Sequence, residues 1–446
     1  MASRELCERC RDAVAAGLHL GADEIEVFGQ AVDSVNATVE KDDLQISKSR
    51  FETSFGVRAL VGRRVGFAST NDAARLDTAC ADAVALARIS PADPHNVLPE
   101  PETADPVDGL HDPAADAFEA ADAVRKTVEI LDRVGTIDQR VIVNDAWFDA
   151  ERVASAVANS RGLAVEERGS LFTYGLVATA REGETVSSFD FQFGASRTVA
   201  GIDIETPTAR ACASALASLG AERGESFVGP VLLSPQAVAD LVLGPILFQI
   251  SARNVLRGRS RWRDAIGTTV AVPGLHLADD GREAGGVATG AFDREGVPHR
   301  RLALIESGVL RFFLHNAYSA HAMGEANTGH ATGSARSVPA IGPTNLSILP
   351  GEGSVDDLVA DVEQGLLVRR FSGNANPISG DFSGAVKSAQ LIRNGKLGRA
   401  VSGTLIAGNV FDALSTLSAI SADRERVYNY TLPFLQLEKV SVTAKG

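Results

Sequence analysis

Zinc-assisted hydrolysis needs two imidazoles on one helix face, a third ligand, and a carboxylate to handle the proton. The eight histidines are His19, His95, His111, His276, His299, His315, His321 and His330. None is followed by Glu, and the spacing of His315 and His321 is not that of ligands on one helix. With His330 they could meet only through the tertiary fold, and isolated histidines are more often structural or surface residues. Nucleophilic catalysis finds no carrier either. There is no Gly-x-Ser-x-Gly elbow, and no Cys follows Cys212. Residues 281–286 and 329–333 are Gly-rich but lack the Lys-Ser/Thr ending of a phosphate loop. Asp293 with Glu295, or Glu325 with Asp381, are candidate carboxylate pairs, for which turn chemistry is the blander account.

A different chemistry is suggested by Phe371-Ser-Gly-Asn-Ala-Asn-Pro-Ile-Ser-Gly-Asp-Phe-Ser-Gly384, which runs on to Gly403-Thr-Leu-Ile-Ala-Gly-Asn409. Small residues let backbones approach closely, and Asn, Asp and Ser supply hydrogen bonds there. Asn374, Asp381, Phe382, Ser383 and Asn409 are therefore the candidate substrate-binding residues, suited to holding an extended peptide backbone. The competing reading, that they cap tight turns, carries slightly more weight on residue type alone.

The bulk composition narrows the classes. The chain has 446 residues, 45% hydrophobic and 22% charged, as in a globular protein of two or three domains. A net charge of -14 argues against a nucleic-acid surface; the short basic run 253–263 reads as a solvated helix end or a partner contact. No apolar run has membrane-spanning length, and the charged first residues lack a signal-peptide core, so a cytoplasmic protein is expected. The four cysteines fit a reducing compartment, and Cys7-x-x-Cys10 reads as one face of a helix.

These residues must be positioned by an α+β scaffold: an N-terminal antiparallel sheet with helices, then a β-rich C-terminal domain. A helix is expected at 5–16, strands at 24–30, 35–40, 44–48, 54–61 and 65–70, and a helix at 71–88. Lys-Asp-Asp at 41–43 and Gly62-Arg-Arg64 supply the hairpin turns. Residues 89–113 are rich in Pro, Asp and His, lack periodicity and read as a linker or surface excursion. A second helix–meander–helix follows over 114–220, without a residue-level repeat. Ser234-Pro235 is a strong helix start, for a helix to about 255 interrupted near Gly244-Pro245. Short strands over 268–314, a helix from Ser354 to Gly365 and strands over 366–442 complete the chain. The domains are set at 1–225 and 226–446.

Along nearly its whole length the sequence resembles the TldD/PmbA family of peptidase-complex proteins, especially its PmbA (TldE) branch. The resemblance rests on Gly21-Ala-Asp-Glu-Ile-Glu-Val27, Gly56-Val-Arg-Ala59, Arg64-Val-Gly-Phe-Ala-Ser-Thr70 and Ile305-Glu-Ser-Gly-Val-Leu310. It continues through Thr332-Gly-Ser-Ala-Arg336, Pro343-Thr-Asn345, Gly380-Asp-Phe-Ser383 and Gly403-Thr-Leu-Ile-Ala-Gly-Asn409. Each motif is weak alone; their order and spacing together are specific. The resemblance implies two domains and a dimer enclosing a chamber for unfolded or small peptides. In the active TldD branch a helix carries His-Glu-x-x-x-His, and a Cys near the C-terminus completes the zinc site. The equivalent helix here, 235–255, has no His, and the late Cys is absent. Lys387 also stands where small or apolar residues are usual, and solvent is its expected environment.

The resemblance thus implies a non-zinc-binding subunit of a TldD/TldE-type heterodimeric metallopeptidase that degrades or matures peptides. No cofactor is expected in this chain, zinc being expected in a TldD-like partner. The alternative is a homodimeric, non-catalytic peptide-binding protein. A third reading is an enzyme of other chemistry using His315, His321 and Asp381.

Overall fold

Two large sheets carry the chain. A computed structural model describes residues 3–40 and 43–444. The first sheet has seven strands: β1 (Glu24–Glu40), β2 (Asp43–Val61), β3 (Arg64–Thr70), β4 (Val141–Asn159), β5 (Ala164–Glu182), β6 (Thr185–Val186) and β7 (Asp190–Ser196). Its order is β3-β2-β1-β4-β5-β6, with β7 also on β5. Helices α1 (Ser3–His19) and α2 (Leu76–Ile89) cover one half; α3 (Ala120–Ile137) and α4 (Glu205–Ala217) cover the other. Each half is therefore helix, meander, helix, and the halves meet where β1 and β4 pair antiparallel from Glu26↔Asn159 to Glu40↔Asp145.

The expected hairpins are present, but their strands are longer. Residues 24–40 form one strand because the inward positions Val27, Ala31, Val35, Ala37 and Val39 keep a period of two throughout. Of the first turn, Lys41 and Asp42 lie outside the described residues. In β4 a register shift between Val143 and Asp145 moves the buried set from Val141 and Val143 to Ala146, Phe148 and Ala150. One extra residue flips the face, so the alternation survives only in two phases. Phe148 then stacks on Tyr174 with ring centroids 5.7 Å apart.

Small residues bring helices down onto the sheet. A Cβ on Gly66 would lie 2.0 Å from the Ala83 carbonyl oxygen, so α2 rests directly on the β3 backbone. Cys7, Cys10 and Cys80 are buried between α1, α2 and the sheet. Burial raises all three thiols, which makes them inert packing groups.

The second sheet has fourteen strands and branches at the long strand Tyr430–Ala444, which pairs with 227–233, 346–348, 404–409 and 419–427. A helical run sits in its core, with Ala237, Val238, Leu241 and Ile250 fully buried. Ser234 caps it, its Oγ accepting from the Ala237 N–H. The run is α over Pro235–Val238, π over Ala239–Leu243 and α over Gly244–Ile250. Pro245 has no N–H to offer the carbonyl four residues back, which accounts for a widened turn just before it. The main break lies later, at extended Ser251, before Ala252–Leu256. The helix after Ser354 ends at Ala360, and Gly365 lies in the strand Gln364–Val368. Residues 91–112 run as irregular chain along the seam between the two sheets, tied by Asn159 Nδ2 to the Pro99 carbonyl (3.0 Å) and by Arg300 to Glu102 (2.8 Å). Among the described residues no helix is long and apolar enough to cross a membrane.

Candidate functional site

The glycine-punctuated stretch becomes three adjacent strands, Arg370–Ala375, Asp381–Lys387 and Thr404–Asn409. Among the described residues Arg370–Ala375 pairs only with Asp381–Lys387, so it is an edge. Asn374 stands opposite Ser383, and both are exposed. Asp381 stands opposite Asn409 and accepts its Nδ2–H at 2.9 Å; the same amide reaches the Ser379 carbonyl at 2.9 Å. Asn409 Oδ1 accepts from the N–H groups of Phe411 (3.0 Å) and Asp412 (3.3 Å), capping the helix Val410–Ser415. Hydrogen bonds from Asn409, then from Ser379 Oγ, hold the Asp381 carboxyl below its usual range.

Phe382 turns the other way, into the core, edge-on to Phe371 at 6.2 Å. The fold thus joins Asp381 to Asn409, sets Asn374 across from Ser383, and separates Phe382 from all four. Asp381 and Asn409 spend their polar groups on the turn and the helix cap.

What faces outward is the backbone of the edge strand. The Phe371 N–H donates to Asp240 Oδ2 at 3.0 Å, away from the neighbouring strand. In an antiparallel strand alternate residues present both main-chain groups to the same side. Gly373 and Ala375 therefore offer theirs to the open edge. Such an edge is a template for an extended peptide.

The helical run 235–250 lies against this edge. Besides Asp240, its polar side chains are Gln236 and Gln249. Gln249 Nε2 donates to the Pro377 carbonyl at 2.5 Å, and Gln249 Oε1 accepts the Arg261 N–H at 2.6 Å. Asp240 is engaged by Gln236 and by the Phe371 N–H. With no imidazole or thiol on it, this helix does not fit a zinc ion. Among the described residues no three His, Cys, Asp or Glu side chains come together as metal ligands.

The histidines separate by environment. His330 sits between Asp279 (2.8 Å) and Thr328 (3.0 Å). His315 meets Ser319 Oγ at 3.3 Å, and burial lowers it to about 4. His299 donates from Nδ1 to the Gly329 carbonyl at 2.8 Å and is likewise lowered by burial to about 4. His321 is apart from these, facing His95 with Nδ1 atoms 3.2 Å apart.

Asp293 and Glu295 do come together, inside a buried ionic seam between the two sheets. Arg58 bridges Glu26 and Glu295, each at 2.7 Å, and Arg294 reaches Glu26 at 3.2 Å while lying 4.0 Å over the Phe28 ring. Asp293 accepts from the N–H groups of Glu295, Val297 and Ala331. Burial, then the charge of Glu295, raises its carboxyl. Sequence reading missed Gln249, Asp240 and the seam arginines. Their local signal was slight: a polar residue in an apolar helix, and Asp-Arg-Glu between Phe292 and Gly296.

Three family profiles cover most of the chain. PmbA/TldA metallopeptidase domain 1 matches residues 25–87, the central domain 101–219, and the C-terminal domain 226–444. The chain belongs to the PmbA/TldD family. A metalloprotease PmbA homolog of Haemophilus influenzae is 24% identical over 99% of this chain and 96% of its own length. An uncharacterized protein of Methanocaldococcus jannaschii is 29% identical over 62% of this chain, which spans 64% of that protein. The crystal structure of TldE from Thermococcus kodakarensis superposes with a TM-score of 0.88 at 24% identity, covering 98% of this chain and 100% of that one. That likeness is one of fold. The edge strand and the helix beside it both fall within the PmbA/TldD C-terminal profile.

Proposed function

We propose that this chain is the non-zinc-binding subunit of a TldD/TldE-type heterodimeric metallopeptidase acting on unfolded or small peptides. It shapes the chamber and holds substrate. The observation that carries this reading is the open strand Arg370–Ala375, set beside a helix that carries no imidazole or thiol.

An extended peptide would pair with the outward main-chain groups of Gly373 and Ala375. The Asp381–Asn409 hydrogen bond and the Gln249–Pro377 contact keep that edge fixed, so little ordering cost falls on binding. Zinc in the TldD-like partner would supply the Lewis acid for peptide hydrolysis. This chain's part is orientation of the substrate.

Native mass spectrometry of the protein drawn gently from its source cells tests the reading. A second chain of similar size carrying one zinc is expected. A metal-free self-dimer would overturn it in favour of a homodimeric peptide-binding protein.

A further inference from the structure

Five arginines, Arg253, Arg257, Arg259, Arg261 and Arg263, follow the helix beside the edge strand, and all are exposed. Arg263 pairs with the adjacent Asp264 at 2.9 Å. Among the described residues the other four have no carboxylate within ion-pair distance. Some exposed arginines elsewhere pair with an acid one turn away, as in Arg4–Glu8 on α1 and Arg125–Asp122 on α3, whereas here four fall within nine residues without one. In a chain of net charge -14 this strip is a local reversal of sign.

Its position is fixed relative to the edge strand. Arg261 lies 4.5 Å over the ring of Phe411, whose N–H is capped by Asn409. The Arg261 backbone N–H is held by Gln249, the same side chain that grips Pro377 in the turn leading to Asp381. At the other end Arg257 lies close enough to Tyr318 for its charge to act on the phenol. Asp381 on the edge hairpin and Asp240 on the helical run are held by their own neighbours, Asp381 by Asn409 and Ser379, Asp240 by Gln236 and Phe371. The guanidinium groups of Arg253, Arg257 and Arg259 are thus left for an external partner.

From this placement we infer that the arginine strip is a specificity surface selecting peptides rich in Asp and Glu. The inference rests on the peptide-holding role proposed above and adds a substrate class to it. Guanidinium forks bind carboxylates bidentately and are weakly hydrated, so an acidic side chain displaces little bound water. An extended peptide on the Arg370–Ala375 edge would project alternate side chains toward the strip. The interaction is exposed and therefore screened by salt.

The test uses the full-length chain and two labelled, unstructured peptides of equal length, one Asp/Glu-rich and one Gly/Ser/Gln-rich. Binding is read by fluorescence anisotropy at low and high salt. The acidic peptide should bind about 10-fold tighter at low salt, with the advantage lost at high salt. The triple variant Arg253→Gln, Arg257→Gln, Arg259→Gln should remove that advantage and leave the neutral peptide unchanged. These side chains are exposed and unpaired, so the variant should fold, which circular dichroism checks. Equal binding of both peptides would overturn the acidic preference while leaving peptide holding intact. Binding of neither would overturn both. A single-stranded oligonucleotide of matched charge that binds as tightly as the acidic peptide would make the strip a generic polyanion surface and also overturn the inference.

Discussion

Gly373 and Gly384 face each other across the edge hairpin so closely that a Cβ on either would stand 2.4 Å from the other's Cα. The Phe371 ring lies over the pair, 2.6 and 2.7 Å from those Cβ positions. The glycine punctuation of this stretch is therefore a packing requirement. An aromatic ring fills the space two side chains would take.

Gly384→Ala should consequently displace either the Gly373 backbone or the Phe371 ring. Overpacking of this kind costs about 1–3 kcal/mol, measurable as a lower urea midpoint at unchanged slope. Unchanged stability would mean that the hairpin relaxes freely and that the close approach has no structural weight.

Ala375→Pro addresses the edge itself. It removes an N–H that faces away from the neighbouring strand, so the existing ladder should survive. Loss of one peptide hydrogen bond should weaken binding of an extended peptide by about 3–10-fold. Binding unaffected by this change would place the peptide elsewhere.

Arg58→Met strands the buried carboxylate of Glu295 and leaves Glu26 with Arg294 alone. Removing one partner of a buried ion pair costs about 3–5 kcal/mol. Because Glu26 lies on β1 and Glu295 in the 291–298 loop of the C-terminal half, the loss should loosen the seam. Hydrogen exchange should rise in both β1 and the 291–298 loop. A loss confined to one side would show that the halves are held by other contacts.

Acid should act through His299 and His315, both lowered by burial from 6.5 to about 4. Between those values the unfolded chain binds more protons than the folded one, so stability falls as pH drops through the window. Asp293 and Glu295, both raised by burial, act in the opposite sense. The histidine part is isolated by comparing the chain with His299→Asn, which keeps a donor for the Gly329 carbonyl. The variant should lose stability less steeply, by up to about 1.4 kcal/mol per pH unit. Parallel pH profiles would mean that His299 is not held neutral.

The parts of this fold that were legible in the sequence are those governed by short-range rules. Turn residues at Gly62-Arg-Arg64 and the cap at Ser234-Pro235 announced a hairpin and a helix start, and both are there. Period-two patterning gave the meanders, but the bulge after Val143 splits the alternation into two phases, and β1 runs longer than its charged positions suggest. The helix end was misread at Gly365 because that glycine is buried in a strand beneath Pro230, where a side chain would not fit. Residue type drew attention to Asp381 and Asn409, but their contact comes from strand register, which residue type does not encode. The pairing of His95 with His321 and the Arg58–Glu295 bridge join distant segments and leave no local pattern.

The central claim, a substrate-holding subunit that depends on a zinc-bearing partner, is tested most directly by peptide hydrolysis. The purified chain, a zinc-loaded TldD-type subunit from the same source, and the two mixed are assayed on an unstructured peptide. The account predicts no hydrolysis by this chain alone, robust hydrolysis by the mixture, and a weaker mixture when this chain carries Ala375→Pro. Hydrolysis by this chain alone, or a mixture no faster than the partner by itself, would contradict it.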